Sequence, residues 1–378
     1  MQPSLSPPPP TRTTLRAGSA ALALALLTSC SSPEPENHSE VDEGAVDPEE
    51  TSEENASDEE AEEESAPFTV AFGGDVMFEG ILRPLLDEPS TALDPISEQL
   101  SAADLTMVNL ETAITEGGNP APDKEFVFRA PAEALEALDH AGVDVATLAN
   151  NHGMDYGEAG LVDTLDNGEA SAVELVGAGH DIDEAYTPHI TEINGQSIAL
   201  FGATDVMDEH LISDWTAGED SPGMASTKHE MKDRMVEAVS ETAEEVDNVV
   251  VYLHWGLEGA HCPLPHAPDL ADELVAAGAS AVVGGHAHVL SPGGHMDDAY
   301  VHYGLSNFVF YNFSGPTAET GVLTLTFDQG AVVDSEWAPA QIQGGVPVPY
   351  EGDAAQEAHQ DWVDMREDCG LPLTDSPV

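Results

Sequence analysis

Five short runs, Phe68–Phe72, Leu105–Leu110, Val143–Leu148, Val249–Leu253 and Ala281–Val283, are apolar at almost every position. A strand that faces water on one side alternates apolar with polar residues, so runs like these must be covered on both faces. Between several of them lie segments with helical spacing: Ala132–His140, Glu158–Asn167, His229–Val246 and Pro268–Ala277. Alternation of buried strands with helices predicts an α/β fold built on a mostly parallel sheet with helices packed over it. The pattern then changes. Ile190–Ile193 and Ser197–Phe201 flank Asn194-Gly195, a strong hairpin signal, and Tyr300–Tyr303, Phe308–Phe310, Val322–Phe327 and Val332–Trp337 follow with little helix between them. A second sheet, mixed or antiparallel, is expected from these later runs.

What stands just beyond each early run is more specific. After the first comes Asp75; after the second Glu111, with Asn109 beside it; after the third Asn150, Asn151 and His152; after the fourth His254; after the fifth His286 and His288. Parallel strands present their carboxyl ends at one rim of a sheet, so groups far apart in sequence would converge there. In the stretch VVGGHAHVL an extended backbone would turn His286 and His288 to the same face, and the glycine pair would let another group approach closely. A single His or a single Gly-Asp is usually structural, so His140, His189, His261, His266, His295 and His302 receive no role. Five strand ends carrying the same kinds of polar group point to a shared site. Carboxylate, amide and imidazole donors without a thiolate suit Mn, Fe, Zn or Co better than Ca or Mg. The donors outnumber one tetrahedral shell, which favours two ions roughly 3.5–4 Å apart sharing a carboxylate.

Charge sets the next limit. The chain has 72 Asp and Glu against nine Lys and Arg, and sixteen of the acids fall between Glu34 and Glu64 with no cation among them. Such a tract repels itself and buries too little to order, so residues 30–66 are expected to be a disordered stalk; binding of cations or of a basic partner is the alternative. Beyond Ala66 the remaining 56 acids face seven Lys and Arg, an imbalance that calls for high ionic strength and suggests a salt-loving organism. Nucleic acid is excluded as a partner, since phosphate backbones are bound by clustered cations. Residues 1–29 have the form of an export signal, with Arg12 and Arg16 before a short apolar stretch from Ala20 to Leu27. Leu27-Thr28-Ser29-Cys30 resembles the bacterial lipobox, which would make Cys30 an acylated anchor and the protein extracytoplasmic, attached to the cell membrane through lipid; plain secretion is the alternative. One domain is expected over residues 67–345, with a tail at 346–378. Cys262 and Cys369 could pair in an oxidising compartment or stay separate thiols.

Seven stretches carry a family resemblance: GGDVMFEG at 73–80, VNLETAIT at 108–115, LANNHGMDYGEAGLVDTLDN at 148–167, GAG at 177–179, HWGLE at 254–258, GGHAHVL at 284–290 and YGLSNFVF at 303–310. In that order and spacing the chain resembles the CapA family of bacterial capsule-synthesis proteins, whose domain is similar to calcineurin-like metallophosphoesterases. The resemblance implies a four-layer αββα sandwich with mixed sheets and two divalent ions, Mn, Fe or Zn. It implies Asp75 and His288 on one ion, Asn151, His254 and His286 on the other, Glu111 bridging them, and His152 as the catalytic acid. Two features depart from the phosphoesterase pattern: Met77 stands where it has a His, and Glu111 where it has an Asp. Ser306 replaces the Gly usual in the CapA motif.

By resemblance the function is the synthesis, export or anchoring of poly-γ-glutamate at the cell surface, beside a membrane-bound synthase. An active metal-dependent hydrolase, acting on a phosphoester or an anionic polymer, is the alternative, because fold likeness does not establish turnover. Arg83, eight residues beyond Asp75, and Asn109 are expected to contact substrate, with Arg83 offering a bidentate grip on an anion. Lys124 and Arg129 also follow early strands and are further candidates for anion binding.

Overall fold

A computed structural model of the chain describes residues 65–311 and 314–377. The expected signal segment, Cys30 and the stalk up to residue 64 lie outside the described residues. Two large sheets dominate. The first has eight strands, ordered Val346–Pro349, Ala331–Gln343, Glu319–Asp328, Phe68–Val76, Leu105–Leu110, Val145–Thr147 and Glu174–Val176, with Asn307–Val309 pairing on the end of Phe68–Val76. The second has six, ordered Gly293–Met296, Ala299–His302, Ala281–His286, Asn248–Trp255, Gln196–Thr204 and His189–Ile193.

Alternation along the strands builds the layers. In Phe68–Val76, Phe68, Val70 and Phe72 point into a core shared with Leu200, Val250 and Tyr252 of the second sheet, while Ala71 and Val76 face helices Asp94–Leu100 and Glu133–His140. On the far side Phe201, Val251 and Leu253 pack against helices Met231–Thr242 and Ala267–Ala276. The result is the four-layer αββα sandwich with mixed sheets. The four expected helices form with ends no more than four residues from those expected, as Glu133–His140, Gly157–Glu169, Met231–Thr242 and Ala267–Ala276. Asn194 and Gly195 turn the hairpin with φ of 52° and 74°.

Strand ownership differs from the expectation. The fourth and fifth early runs do not continue the first sheet; they form the parallel centre of the second, beside Gln196–Thr204. Glu319–Asp328 instead extends the first sheet antiparallel to Phe68–Val76, and Ala331–Gln343 pairs antiparallel with Glu319–Asp328 in turn. A run buried on both faces reads alike whichever sheet holds it, and only tertiary pairing decides. Residues 346–377 contribute strand Val346–Pro349 and the 17-residue helix Gly352–Asp368, which buries Trp362 and is fastened by a disulfide between Cys369 and Cys262. Among the described residues no helix is long and apolar enough to cross a membrane.

Candidate metal centre

Because the parallel strands of both sheets run the same way, their carboxyl ends meet at one rim. Asp75 lies on Phe68–Val76, Glu111 directly follows Leu105–Leu110, and both are fully buried. His254 lies on Asn248–Trp255 and His286 closes Ala281–His286. Glu111, His254 and His286 bring ligand atoms within 4.8 Å of one another, and so do Asp75, Glu111 and His288. Glu111 therefore belongs to both groups. Asn151 Oδ1 lies 2.7 Å from His254 Nε2, which in turn is 3.6 Å from Glu111 Oε1.

The two histidines of the GGHAH stretch reach the cluster by a route other than the one expected. His286 has φ of 90° and His288 of 56°, so both sit in left-handed backbone and His288 lies beyond the strand. The alternation of an extended segment does not place them. Asp75 holds them instead, its Oδ2 accepting from the His286 N–H at 3.0 Å and lying 3.3 Å from His288 Nδ1. The glycine pair does what close approach requires: a Cβ at Gly285 would lie 2.5 Å from Asp75 Oδ1.

A layer of amides supports the carboxylates. The His152 N–H donates to Asn150 Oδ1 (2.9 Å), Asn150 Nδ2 donates to Asn109 Oδ1 (3.0 Å), and Asn109 Nδ2 donates to Asp75 Oδ1 (2.8 Å). Asn109, expected at the substrate, is fully buried and orients a ligand instead. Arg83 is likewise elsewhere. Its guanidinium donates to the Arg129 carbonyl at 2.5 Å and faces Glu79, and it makes none of the contacts that join the cluster. Met77 is buried in the helix-side core, with its sulfur accepting from the Glu79 N–H, so no ligand comes from that position.

His152 stands at the edge of the cluster with Nε2 3.8 Å from Glu111 Oε1. Nδ1 donates to Asp155 Oδ2 at 2.6 Å, and the ring stacks on Phe128 with centroids 4.1 Å apart. Asp155 also accepts from the Phe128 N–H and pairs with Lys124, which reaches the Asn151 carbonyl as well. The sequence reading missed Asp155 and placed Lys124 only as a candidate anion binder. The three-residue spacing of His152 and Asp155 in a tight turn was the available signal.

Electrostatics follow from burial. Burial, and after it the charge of Asp75, raises the Glu111 carboxyl well above the usual range. Burial lowers His152 to about 4 and His286 to about 3, and it pushes His254 well below the ordinary imidazole value. His288 goes the other way: burial pulls it down, but Glu111 and Asp75 outweigh that and carry it up to about 9. Among the described residues neither oxygen of Glu111 nor Nδ1 of His286 has a hydrogen-bond partner. Two buried carboxylates against one another cost several kcal/mol unless countered. Unpartnered carboxylate oxygens beside imidazoles, of which burial keeps His254 and His286 neutral, are the donor set a divalent cation takes. The buried cluster can hold a metal.

A sequence profile described as "Bacterial capsule synthesis protein PGA_cap" matches residues 69–312. The chain is 28% identical over 293 residues to "PGA biosynthesis protein CapA" of Bacillus subtilis, covering 76% of this chain and 75% of that protein. It is 27% identical over 292 residues to "Capsule biosynthesis protein CapA" of Bacillus anthracis, covering 76% and 70%. A solved phosphatase structure from Mycoplasma pneumoniae aligns over 78% of this chain and 98% of its own at 13% identity and a TM-score of 0.45, too loose to argue from. The profile match opens on the first strand and runs past Asn307–Val309, taking in every residue of the cluster, and the chain belongs to the family of bacterial capsule synthesis proteins.

Proposed function

We propose that this is a CapA-like protein of the cell surface that acts in the synthesis, export or anchoring of poly-γ-glutamate through a centre of two divalent ions, Mn, Fe or Zn. The observation that carries this is Glu111, a buried carboxylate with both oxygens unpartnered among the described residues, common to two groups of ligands. Asp75, Glu111 and His288 would hold one ion; Glu111, His254, His286 and the Asn151 amide the other. Attachment through an acylated Cys30 belongs to the same proposal, supported by the lipobox-like Leu27-Thr28-Ser29-Cys30 stretch, and so does association with a membrane-bound synthase, toward which the relatives' names offer only PGA and capsule biosynthesis. Metal analysis of the residue 67–378 fragment tests the centre: more than one equivalent in the wild type, lost in the His286→Ala, His288→Ala double variant. Less than one equivalent in the wild type would end the two-ion reading.

The second reading, hydrolysis, is supported by the His152–Asp155 pair at the cluster's edge. When bound, the ions would polarise a phosphoryl or acyl oxygen and lower the pKa of a coordinated water. Asp155 fixes the His152 tautomer by taking the Nδ1 proton's hydrogen bond, leaving Nε2 toward the cluster. The neutral ring can then accept a proton at Nε2 and return it to a leaving group, and stacking on Phe128 holds its plane. With Mn and a bis-aryl phosphodiester at high salt, His152→Ala should lose orders of magnitude in rate. Equal rates in both proteins would remove His152 from the chemistry.

A further inference from the structure

Seven Lys and Arg serve the chain beyond Ala66, and all seven lie in the described residues. Arg83 and Arg129 are engaged with Glu79, backbone carbonyls and the Tyr156 ring; Lys232 pairs with Glu273, Arg234 with Asp183 and Arg366 with Asp375. Lys124 is buried behind His152. Lys228 remains. Its surroundings place it at the lip of the metal centre.

Strand Gln196–Thr204 ends beside His254: Thr204 stands in register with it, and the Asp205 N–H donates to the His254 carbonyl at 2.8 Å. Asp205 Oδ1 lies 3.4 Å from Lys228 Nζ, while Oδ2 is 2.7 Å from His266 Nε2 and Thr227 Oγ1 donates to Oδ1 at 3.3 Å. The backbone leading to Lys228 is fixed by the Thr204–Ser226 bridge and by the Lys228 N–H donating to Ser226 Oγ at 3.0 Å. Upstream in that segment, Met224 packs so near Gly153 that a Cβ there would come within 2.8 Å of its sulfur. Lys228 thus pairs with Asp205, which is hydrogen-bonded to the His254 carbonyl, and it follows a segment whose Met224 packs beside the turn that carries His152. Its side chain is 29% exposed. An ammonium has three N–H donors; Asp205 takes one, and the rest can serve a ligand.

We propose that Lys228, positioned by Asp205 with His266, binds an anionic group, carboxylate or phosphate, that the ligand carries beside the group entering the metal centre. The proposal rests on the reading of the cluster as a metal centre that meets a ligand. Over most of this surface an anionic chain meets repulsion, because 56 acids outnumber the cations eightfold beyond Ala66. A fixed ammonium at the lip gives local attraction and sets the register of such a chain.

The test is calorimetric titration of Mn-supplemented protein, at fixed ionic strength, with a γ-linked glutamate oligomer, the same oligomer with its carboxylates amidated, and inorganic tripolyphosphate. Lys228→Met should weaken one or both anionic probes about tenfold, the responding probe naming the source, and leave the amidated oligomer unchanged. Lys228→Arg should recover most of the loss, and Lys232→Met should match the wild type. Metal content is measured in parallel. If Lys228→Met binds both anionic probes as the wild type does while metal is bound normally, this proposal fails and the metal reading stands. If no metal is bound but the Lys228 effect persists, the metal reading fails and the anion site stands. A wild type that binds neither anionic probe better than the amidated oligomer also overturns the proposal.

Discussion

Gly285 and the carboxylate of Asp75 pack so closely that the smallest added side-chain atom on the glycine would stand 2.5 Å from Oδ1. Asp75 cannot retreat, since Asn109 holds that oxygen at 2.8 Å and the His286 N–H holds the other at 3.0 Å. Gly285→Ala should therefore displace a metal ligand without touching any ligand's chemistry. Mn or Zn affinity, read by calorimetry, is expected to fall about tenfold or more. Unchanged affinity would mean that Asp75 does not coordinate.

Glu111 sets metal binding against the stability of the metal-free fold. The metal-free site disfavours a charge on Glu111, whose carboxyl is raised by burial and then by Asp75 and whose oxygens have no hydrogen-bond partner among the described residues. Glu111→Gln removes that charge. In chelator the variant should be more stable than the wild type by about 1–3 kcal/mol. With Mn added the order should reverse. The comparison is made by melting each protein in both buffers, and a variant that melts lower in chelator would contradict the account.

His302 sets an acid limit on stability far from the metal centre. It is fully buried against Trp337 and Trp362, with Nδ1 accepting from the Gly304 N–H at 3.2 Å, and burial followed by the Arg366 charge lowers it to about 3. The unfolded chain protonates this group near 6.5 and the folded one does not. Its stabilising effect is thus complete above about pH 6.5 and is lost as pH falls toward 3. In His302→Leu the slope of unfolding free energy between about pH 6 and 4 should be shallower by about 1.4 kcal/mol per pH unit. Denaturant titration at several pH values measures it, and parallel slopes would refute the assignment.

The excess of acids beyond Ala66 predicts a protein stabilised by salt. Raising sodium chloride from about 0.1 M to about 2 M shortens the screening length from about 10 Å to under 3 Å, which removes most repulsion between surface carboxylates. The melting temperature of the 67–378 fragment should rise by several degrees. Mannitol of equal osmolarity should not reproduce the rise. A melting temperature indifferent to salt would contradict the salt-loving reading.

The rim was legible because its ligands follow apolar runs whose direction a parallel sheet fixes; Asp75, Glu111, Asn151, His254, His286 and His288 all gather there. Which sheet owns each run was not legible, since Val249–Leu253 is equally apolar in either. Asp155 escaped notice, and Lys124 was read only as a candidate anion binder, because their pairing joins a loop to a turn and leaves no period in the sequence. Helix Gly352–Asp368 was hidden for a related reason. Trp362 and Arg366 are its buried residues, too few to mark a stripe. Arg83 was misplaced because sequence distance from Asp75 says nothing about which way a short helical turn points a guanidinium.

The first strand of the domain is also one of its last to be completed. Phe68–Val76 finds one neighbour in Leu105–Leu110, but its other side waits for Asn307–Val309 and Glu319–Asp328, translated more than two hundred residues later. A half-made chain leaving the ribosome has Asp75 at an open edge, where it cannot be locked against the Ser306 carbonyl that receives its N–H. The candidate ligand cluster is thus complete only once these late strands have docked, and a truncated product lacks part of it.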